Sequence, residues 1–493
     1  NNPSGIFPGS NQKTLEDKRD KRLAQICVRG HFSTEELKLY KAEPIPSKIK
    51  LLPNHTPHLL QRGIDEGMEG EIIKTTLDYE LQKKVTSVVK KHNAKMSLNQ
   101  IKNAAALVIE IETGDAIAYV GNTATKVEHG KFVDIIKANR SPGSLLKPLL
   151  YAAALNDGLI LPKQLLQDIP IYKNGFIPKN FDRKFRGVIP ANKALSSSLN
   201  VPYVHLLSEY EYKRFYHLLK KIGYTNLNHP PDHYGLSLIL GTAETSLWGI
   251  TAVYAGMAKA YLTFPKRPLN SGYSYSDYHK NYFLNSAVKA KKDTTLNSSG
   301  LLSVEAIEAT FKAMQELERP EQESGWESFL SKKKIAWKTG TSYGFRDAWA
   351  IGLNDKYVVG VWVGNANGEP RSDLIGIRAA APLLFDLFRL LDGDSILNNT
   401  PMGSLENICL QSGMLAKAIC KRQVLQELTE NAVLKAKKCT YHVSLKLNQK
   451  ETHQVDSNCY DVFDMVSKDY FVLSPVQSWY YMQHQPNYVL PPP

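Results

Sequence analysis

Nowhere in this 493-residue chain does an uncharged apolar run approach the ~18 residues that a bilayer-spanning helix needs, so no such helix is expected within it. Cysteine is scarce: Cys27 stands alone, and Cys409, Cys420, Cys439 and Cys459 gather near the C-terminus. No CxxC pair joins them, which argues against a zinc site. An oxidising compartment and disulfides are expected instead, with Cys409 and Cys420 paired on the strength of their short separation. Basic residues form no single stripe, and no zinc-finger, RRM or KH pattern occurs. The net charge of +13, from 61 Lys and Arg against 48 Asp and Glu, therefore suits an acidic polymer or membrane surface, and no nucleic acid is expected. The chain opens NNPSG, with neither an initiating Met nor a signal-peptide pattern. A fragment is expected, its targeting segment lying outside.

What is present reads as a globular protein. Hydrophobic residues make up 43% and charged residues 22%, which excludes disorder, and at about 100–200 residues per domain the length predicts several units. Residues 1–72 read as a helical tail and connector, with Ser33-Thr34-Glu35-Glu36 as a helix start. TTLDYELQKKVTSVVKKH, from 75 to 92, has helical periodicity and opens a new domain over 73–400. AALVIEIETGDAIAYVGN predicts two strands around a Thr113-Gly114-Asp115 turn. A helical middle follows, including SLLKPLLYAAALNDG and ETSLWGITAVYAGMAKAY. KKIAWKTGTS, DAWAIGL and KYVVGVWVGN then read as strands, with a turn at Asn354-Asp355. Strands at both ends of a helical middle imply an α+β fold, an antiparallel sheet packed on helices. Pro401 and Gly403 mark a boundary, and 401–493 is expected to be a small β-rich module.

Three short motifs carry chemistry. Ser144 and Lys147, in RSPGSLLKP, stand one helical turn apart at a predicted helix start, with Lys147 placed to deprotonate the Ser144 hydroxyl if burial and neighbouring cations keep its amine neutral. The same Ser-x-x-Lys spacing recurs at Ser10, Ser47, Ser87, Ser286 and Ser331. Spacing alone is therefore uninformative, and a capping serine beside a solvated lysine would look the same. Ser198 and Asn200, in SSSLNVPYV, can project a hydroxyl and an amide into one cleft from a loop. KTGTS occurs once. On a strand, Lys338 and Gly340 share one face and Thr339 and Thr341 the other, and Gly340 leaves room for a ligand backbone to approach. Ser-x-x-Lys, Ser-x-Asn and Lys-Thr-Gly in this order form the signature of penicillin-binding proteins and serine β-lactamases.

From about residue 73 to 395 the chain resembles the transpeptidase domain of class A penicillin-binding proteins, in TTLDYELQ, RSPGSLLKPLLYAAAL, SLNVP, LGTAETSLWGITAVYA and WKTGTSYGFRDAWAIG. The tail with WYYMQHQPNYVLPPP resembles the C-terminal module of the penicillin-binding protein 1C subgroup. The first seventy or so residues resemble the end of a glycosyltransferase domain, although the E-D-x-x-F-x-x-H signature of its core is not in the chain.

The resemblance implies a peptidoglycan D,D-transpeptidase whose Ser144 attacks a stem-peptide D-Ala-D-Ala carbonyl, with Lys147 as base and Ser198 as proton relay. It implies that Asn200 binds the donor amide, that Lys338, Thr339, Gly340 and Thr341 bind the substrate, and that the Ser144 and Thr341 N–H groups form an oxyanion hole. It further implies acylation by β-lactam antibiotics, no metal or organic cofactor, and a place at the periplasmic face of the bacterial inner membrane, held by an N-terminal anchor outside this chain. The tail is expected to bind a cell-wall component or envelope protein. A serine β-lactamase and a non-catalytic penicillin-recognising sensor are the alternatives. The former is disfavoured by length and by the lack of a Glu-x-x-Leu-Asn-type element between Asn200 and Lys338.

Overall fold

NAAALVIE and YVVGVWVG carry apolar residues or small gaps at nearly every position, the pattern of strands covered on both faces. The computed structural model describes residues 4–49, 53–123, 126–173, 175–263, 301–316, 334–397, 404–428 and 430–493. Ser286, Ser331, Pro401 and Gly403 lie outside them. The chain divides into two compact units between His55 and Thr56. In the first, α1 (Gln12–Val28) is followed by α2 (Thr34–Ala42), which starts at the Ser33–Glu36 capping box read from the sequence. Arg19 ties the two by donating to the Lys41 and Glu43 carbonyls.

The second unit is organised around one antiparallel sheet. Its strands are β1 (Asn103–Glu110), β2 (Ala116–Val120), β5 (Ala336–Thr341), β6 (Asp347–Leu353) and β7 (Tyr357–Gly364), in the order β2-β1-β7-β6-β5. β1 pairs with β7 from Asn103↔Gly364 to Glu110↔Tyr357, so chain from either side of the helical middle is joined at the centre. The turn between β1 and β2 places Gly114 at φ +79°, where a side chain would be strained. β3 (Leu165–Asp168) and β4 (Gly187–Pro190) make a separate hairpin.

Helices cover both sheet faces. α3 (Pro57–Asp65) buries His58 and Leu59, and its Arg62 guanidinium lies 4.3 Å over the Trp248 ring. This docking is why the second unit starts at Thr56, ahead of the 72/73 division read from composition. α4 (Tyr79–Ser97) starts at an Asp78 cap, later than the periodicity suggests, because Thr76 and Asp78 first hydrogen-bond the Ala116 and Ile117 carbonyls of β2. α5 (Lys147–Asn156), α6 (Ala191–Ser196), α7 (Val201–Tyr210), α8 (Tyr212–Lys221), α9 (Pro231–Tyr234), α10 (Leu247–Thr263) and α11 (Val304–Gln315) complete the middle. α5, α10 and α11 share a core with Ala336, Trp349 and Ile351 of the sheet. α4 and α12 (Ala381–Phe388) pack on the opposite face, where Trp337 meets Phe385 edge-on. No described helix is long and apolar enough to cross a membrane.

The tail pairs β8 (Ser404–Cys409) with β9 (Gln423–Leu428), and β10 (His442–Leu447) with β11 (Val466–Phe471). α13 (Glu430–Lys435) and α14 (Pro475–Met482) accompany them. α14 departs from the β-like reading of QSWYYMQH, since a Ser474–Gln477 capping box and Pro475 in the first turn start a helix there. Its backbone packs on β4, where a Cβ on Gly187 would lie 2.2 Å from the Gln477 carbonyl oxygen.

Candidate active site

The segment that carries Ser144 is held from several sides. Arg140 and Thr245 exchange two backbone hydrogen bonds of 2.9 Å. The Ser141 hydroxyl donates to the Gly241 carbonyl at 2.7 Å, the Trp349 indole to the Ser141 carbonyl at 2.8 Å, and the Tyr254 hydroxyl to the Leu145 carbonyl at 2.8 Å. Ser144 lies in a 3₁₀ turn, Gly143–Leu146, and the α-helix begins only at Lys147. Pro148 explains this offset: it has no N–H to give the Ser144 carbonyl, which takes the Lys147 N–H instead. Ser144 caps no helix, and among the described residues no partner occupies its hydroxyl.

Lys147 shares this side of the turn and is 0% exposed. Its ammonium nitrogen donates to the Ser198 carbonyl at 2.8 Å and to Asn200 Oδ1 at 2.7 Å. No carboxylate among the described residues is paired with it. Burial first, and the charge of Lys338 second, hold its pKa well below the usual ammonium range. Burial and a neighbouring cation thus act in the direction that a lysine base requires.

Ser198 follows α6 in the left-handed conformation, φ +53°, which costs a non-glycine residue about 1 kcal/mol. Its hydroxyl accepts from Lys338 Nζ at 2.7 Å. Asn200 Nδ2 donates to the Lys179 carbonyl at 2.9 Å, so both ends of this amide are engaged within the protein. Lys338, on edge strand β5, is also 0% exposed, and its second partner is the Thr339 carbonyl at 2.8 Å. Burial pushes its pKa down to about 7.

Gly340 has a different task from the one its sequence suggests. A Cβ there would lie 2.1 Å from the Pro142 carbonyl oxygen, so the space is taken by the protein's own nucleophile segment. Reciprocally, Gly143, at φ +55°, sits with its Cβ position 2.3 Å from the Thr341 carbonyl oxygen and 2.7 Å from Thr341 N. Two facing glycines thus bring the peptide before Ser144 against the peptide of Thr341. The Thr341 hydroxyl accepts from Gly376 N at 2.9 Å.

These groups border a cavity of about 760 Å³, lined by Ser144, Ser198, Asn200, Thr339 and Thr341. Phe181 and Phe345, in edge contact at 6.3 Å, and Ile375 and Ile377 form its apolar wall. Glu316 is the carboxylate among the lining residues, and its oxygens already accept from Asn192 Nδ2 and pair with Lys193 Nζ.

The profile of the penicillin binding protein transpeptidase domain matches residues 104–373, more than half of the chain. The chain belongs to the penicillin-binding protein transpeptidase family. Penicillin-binding protein 1C of Escherichia coli K12 is 33% identical over 396 residues, 79% of this chain and 47% of that protein. Penicillin-binding protein 1A of Aquifex aeolicus is 29% identical over 57% of this chain and 37% of its own length. The chain therefore spans about half or less of these curated relatives. In fold, the crystal structure of penicillin-binding protein 1A from Haemophilus influenzae superposes with a TM-score of 0.62 at 16% identity, covering 87% of this chain and 84% of that one.

The candidate site rests on residues that no sequence motif announced. Asp168, at the end of β3, is fully buried and accepts from Asn180 Nδ2 at 2.7 Å and from Arg186 N at 3.0 Å. Asn180 Oδ1 in turn accepts from the Asn200 and Val201 backbone N–H groups, both at 3.0 Å. Burial raises the Asp168 pKa, against the pull of Asn180 and Arg186. The lone cue was an acid, an amide and an arginine scattered over a loop.

The cysteine reading needs correction. All five thiols are free, so Cys409 and Cys420 are not bridged. Cys409, Cys420 and Cys439 instead converge with His442 in one buried cluster whose geometry could hold a metal ion, an arrangement the expectation of no metal site did not include. Its mark in the sequence is not a CxxC pair but Cys439-Thr440-Tyr441-His442.

Proposed function

We propose that this domain is a serine D,D-transpeptidase that crosslinks peptidoglycan stem peptides and is inhibited by β-lactams. The observation that carries the reading is Lys147: a fully buried amine whose pKa is held well below the usual ammonium range, one turn from a Ser144 hydroxyl that has no partner among the described residues. Ser144 Oγ attacks the penultimate D-Ala carbonyl and Lys147 takes its proton. The N–H groups of Ser144 and Thr341, drawn together by Gly143, receive the oxyanion. Ser198, hydrogen-bonded to Lys338, passes a proton to the departing D-Ala. Lys338, Thr339 and Thr341 meet the terminal carboxylate. The donor peptide lies along edge strand β5, whose Thr339 carbonyl it shares with Lys338, and Asn200 reaches its amide only by sharing an oxygen already bonded to Lys147. An amine from a second stem then attacks the acyl ester and frees Ser144. Water in its place gives carboxypeptidase activity.

The substrate places the reaction outside the cytoplasmic membrane, and similarity to relatives of about twice the length supports a bifunctional parent with a glycosyltransferase. Intact mass after benzylpenicillin, with peptide mapping, tests the assignment. One adduct on Ser144 is expected, abolished by Ser144→Ala and nearly so by Lys147→Ala in folded protein. The adduct should persist, since Glu316 is already bonded by Asn192 and Lys193 and is poorly placed to activate water. Label on another serine would discard the motif assignment. Rapid release of hydrolysed penicillin would favour a β-lactamase, and acylation without turnover of D-Ala-D-Ala peptides a sensor.

A further inference from the structure

Away from the acylation site, three sulfurs and one imidazole nitrogen point at a common centre in the tail. His442 Nδ1 lies 3.5 Å from Cys409 Sγ, 3.6 Å from Cys420 Sγ and 3.3 Å from Cys439 Sγ. All four side chains are buried, and the four atoms lie within 4.8 Å of one another. His442 Nε2 is 2.9 Å from Gln411 Oε1, an acceptor, so Nε2 carries the proton and Nδ1 turns its lone pair to the sulfurs. One lone pair can accept from one thiol, not three. A cation at the centre satisfies all four donors at once.

We propose that Cys409, Cys420, Cys439 and His442 form a structural zinc site. With Zn–S near ~2.3 Å and Zn–N near ~2.05 Å, a tetrahedron has S···N edges of about 3.6 Å and S···S edges of about 3.8 Å. The S···N distances already match, and the sulfurs need to close by at most about 1 Å. Thiolate and imidazole donors select zinc over the hard cations magnesium and calcium. On binding, the three thiols release their protons to solvent and four bonds to the metal form, with no change of oxidation state. The surroundings suit thiolates: Lys417 N donates to Cys420 Sγ at 3.3 Å and the Ser412 hydroxyl to Cys439 Sγ at 3.2 Å. Gln411 is the outer partner that fixes the imidazole's tautomer and orientation.

The ligands come from the end of β8, the loop before β9, the strand-like segment at Cys439 and the start of β10, elements with little shared apolar core. Zinc would staple them. It would also set the loop at Ser412, whose carbonyl accepts from Leu165 N at 2.9 Å at the root of β3.

Elemental analysis of the full chain, purified in reducing buffer with zinc supplied, should find about one zinc per chain. Cys420→Ser and His442→Ala should lower that content, whereas Cys459→Ser, at an exposed cysteine outside the cluster, should not. Gln411→Ala removes no ligand and should weaken zinc about 10–100-fold against a chromophoric chelator. Cobalt substitution should give the intense visible bands of a tetrahedral thiolate complex. A zinc-free native chain, equal zinc in all variants, or a disulfide among Cys409, Cys420 and Cys439 in the zinc-supplied protein would each overturn the proposal.

Discussion

Lys338 illustrates how one buried residue sets both rate and stability. Acylation needs Lys147 neutral and Lys338 charged, so the rate should rise with pH as Lys147 loses its proton and fall as pH passes about 7, where Lys338 loses its own. Lys338→Arg keeps the cation and should remove the alkaline limb. Lys338→Met should slow acylation by on the order of 10²–10³-fold. In the unfolded chain this lysine keeps its proton up to the ordinary value of 10.5. Between about 7 and 10.5 the unfolded state thus binds more protons than the folded one, and stability should climb with pH. Lys338→Met should reduce that slope to the part contributed by Lys147, whose pKa is also depressed, and, near pH 6, stabilise the fold by about 1–4 kcal/mol, because a cation without a carboxylate partner is no longer buried. Denaturant melts at several pH values, set against acylation rates, would check both. A Met variant that is less stable at pH 6 would show that the ammonium's hydrogen bonds outweigh its desolvation.

Among the elements, the β3–β4 hairpin is the one whose catalytic weight is out of proportion to its size. Asp168 fixes Asn180, Asn180 fixes the backbone at Asn200, and Asn200 holds Lys147. Asp168→Ala should therefore slow acylation about 10–100-fold without contact to the substrate. It should also move the acid limb of the pH profile downward, because an ammonium that loses an acceptor sheds its proton more readily. An unchanged profile would leave Asp168 a purely structural residue. None of this support was legible in the sequence, because a relay from a strand end through a loop to a helix start has neither periodicity nor fixed spacing. Ser144, Lys147, Ser198 and Lys338 were legible, since their chemistry demands particular side chains on particular elements. So were the β1–β2 hairpin and the sheet closed from both ends. The 3₁₀ turn at Ser144 was written in Pro148 but outweighed by the apolar run behind it. α14 was hidden by aromatic residues that favour strands, and the Cys439–His442 pair because its other ligands, Cys409 and Cys420, lie 19 or more residues away in sequence.

For the molecule as a whole, the tail is not a detachable appendage. Leu473 packs with Leu165 and Val188 of the β3–β4 hairpin, and His484 contacts the Phe185 carbonyl. Truncation at 403 would bare that hairpin. The packing predicts a lower melting midpoint and slower labelling of Ser144, and full-rate labelling of the truncated chain would show the tail to be detachable after all.

The pairing of Asn103 with Gly364 also dictates when during synthesis the enzyme can exist. A ribosome delivers the chain from its N-terminus, and β1 can find only β2 until β7 has emerged; a two-stranded ribbon is marginal on its own. A nascent chain stopped at 356 contains Ser144, Lys147, Ser198, Asn200 and Lys338, yet lacks the strand that joins β1 to β6. Such a chain should not react with fluorescent penicillin. Reactivity should appear only once translation has passed Gly364 and cleared the exit tunnel, so the penicillin-reactive site would assemble only after its central strand has been made.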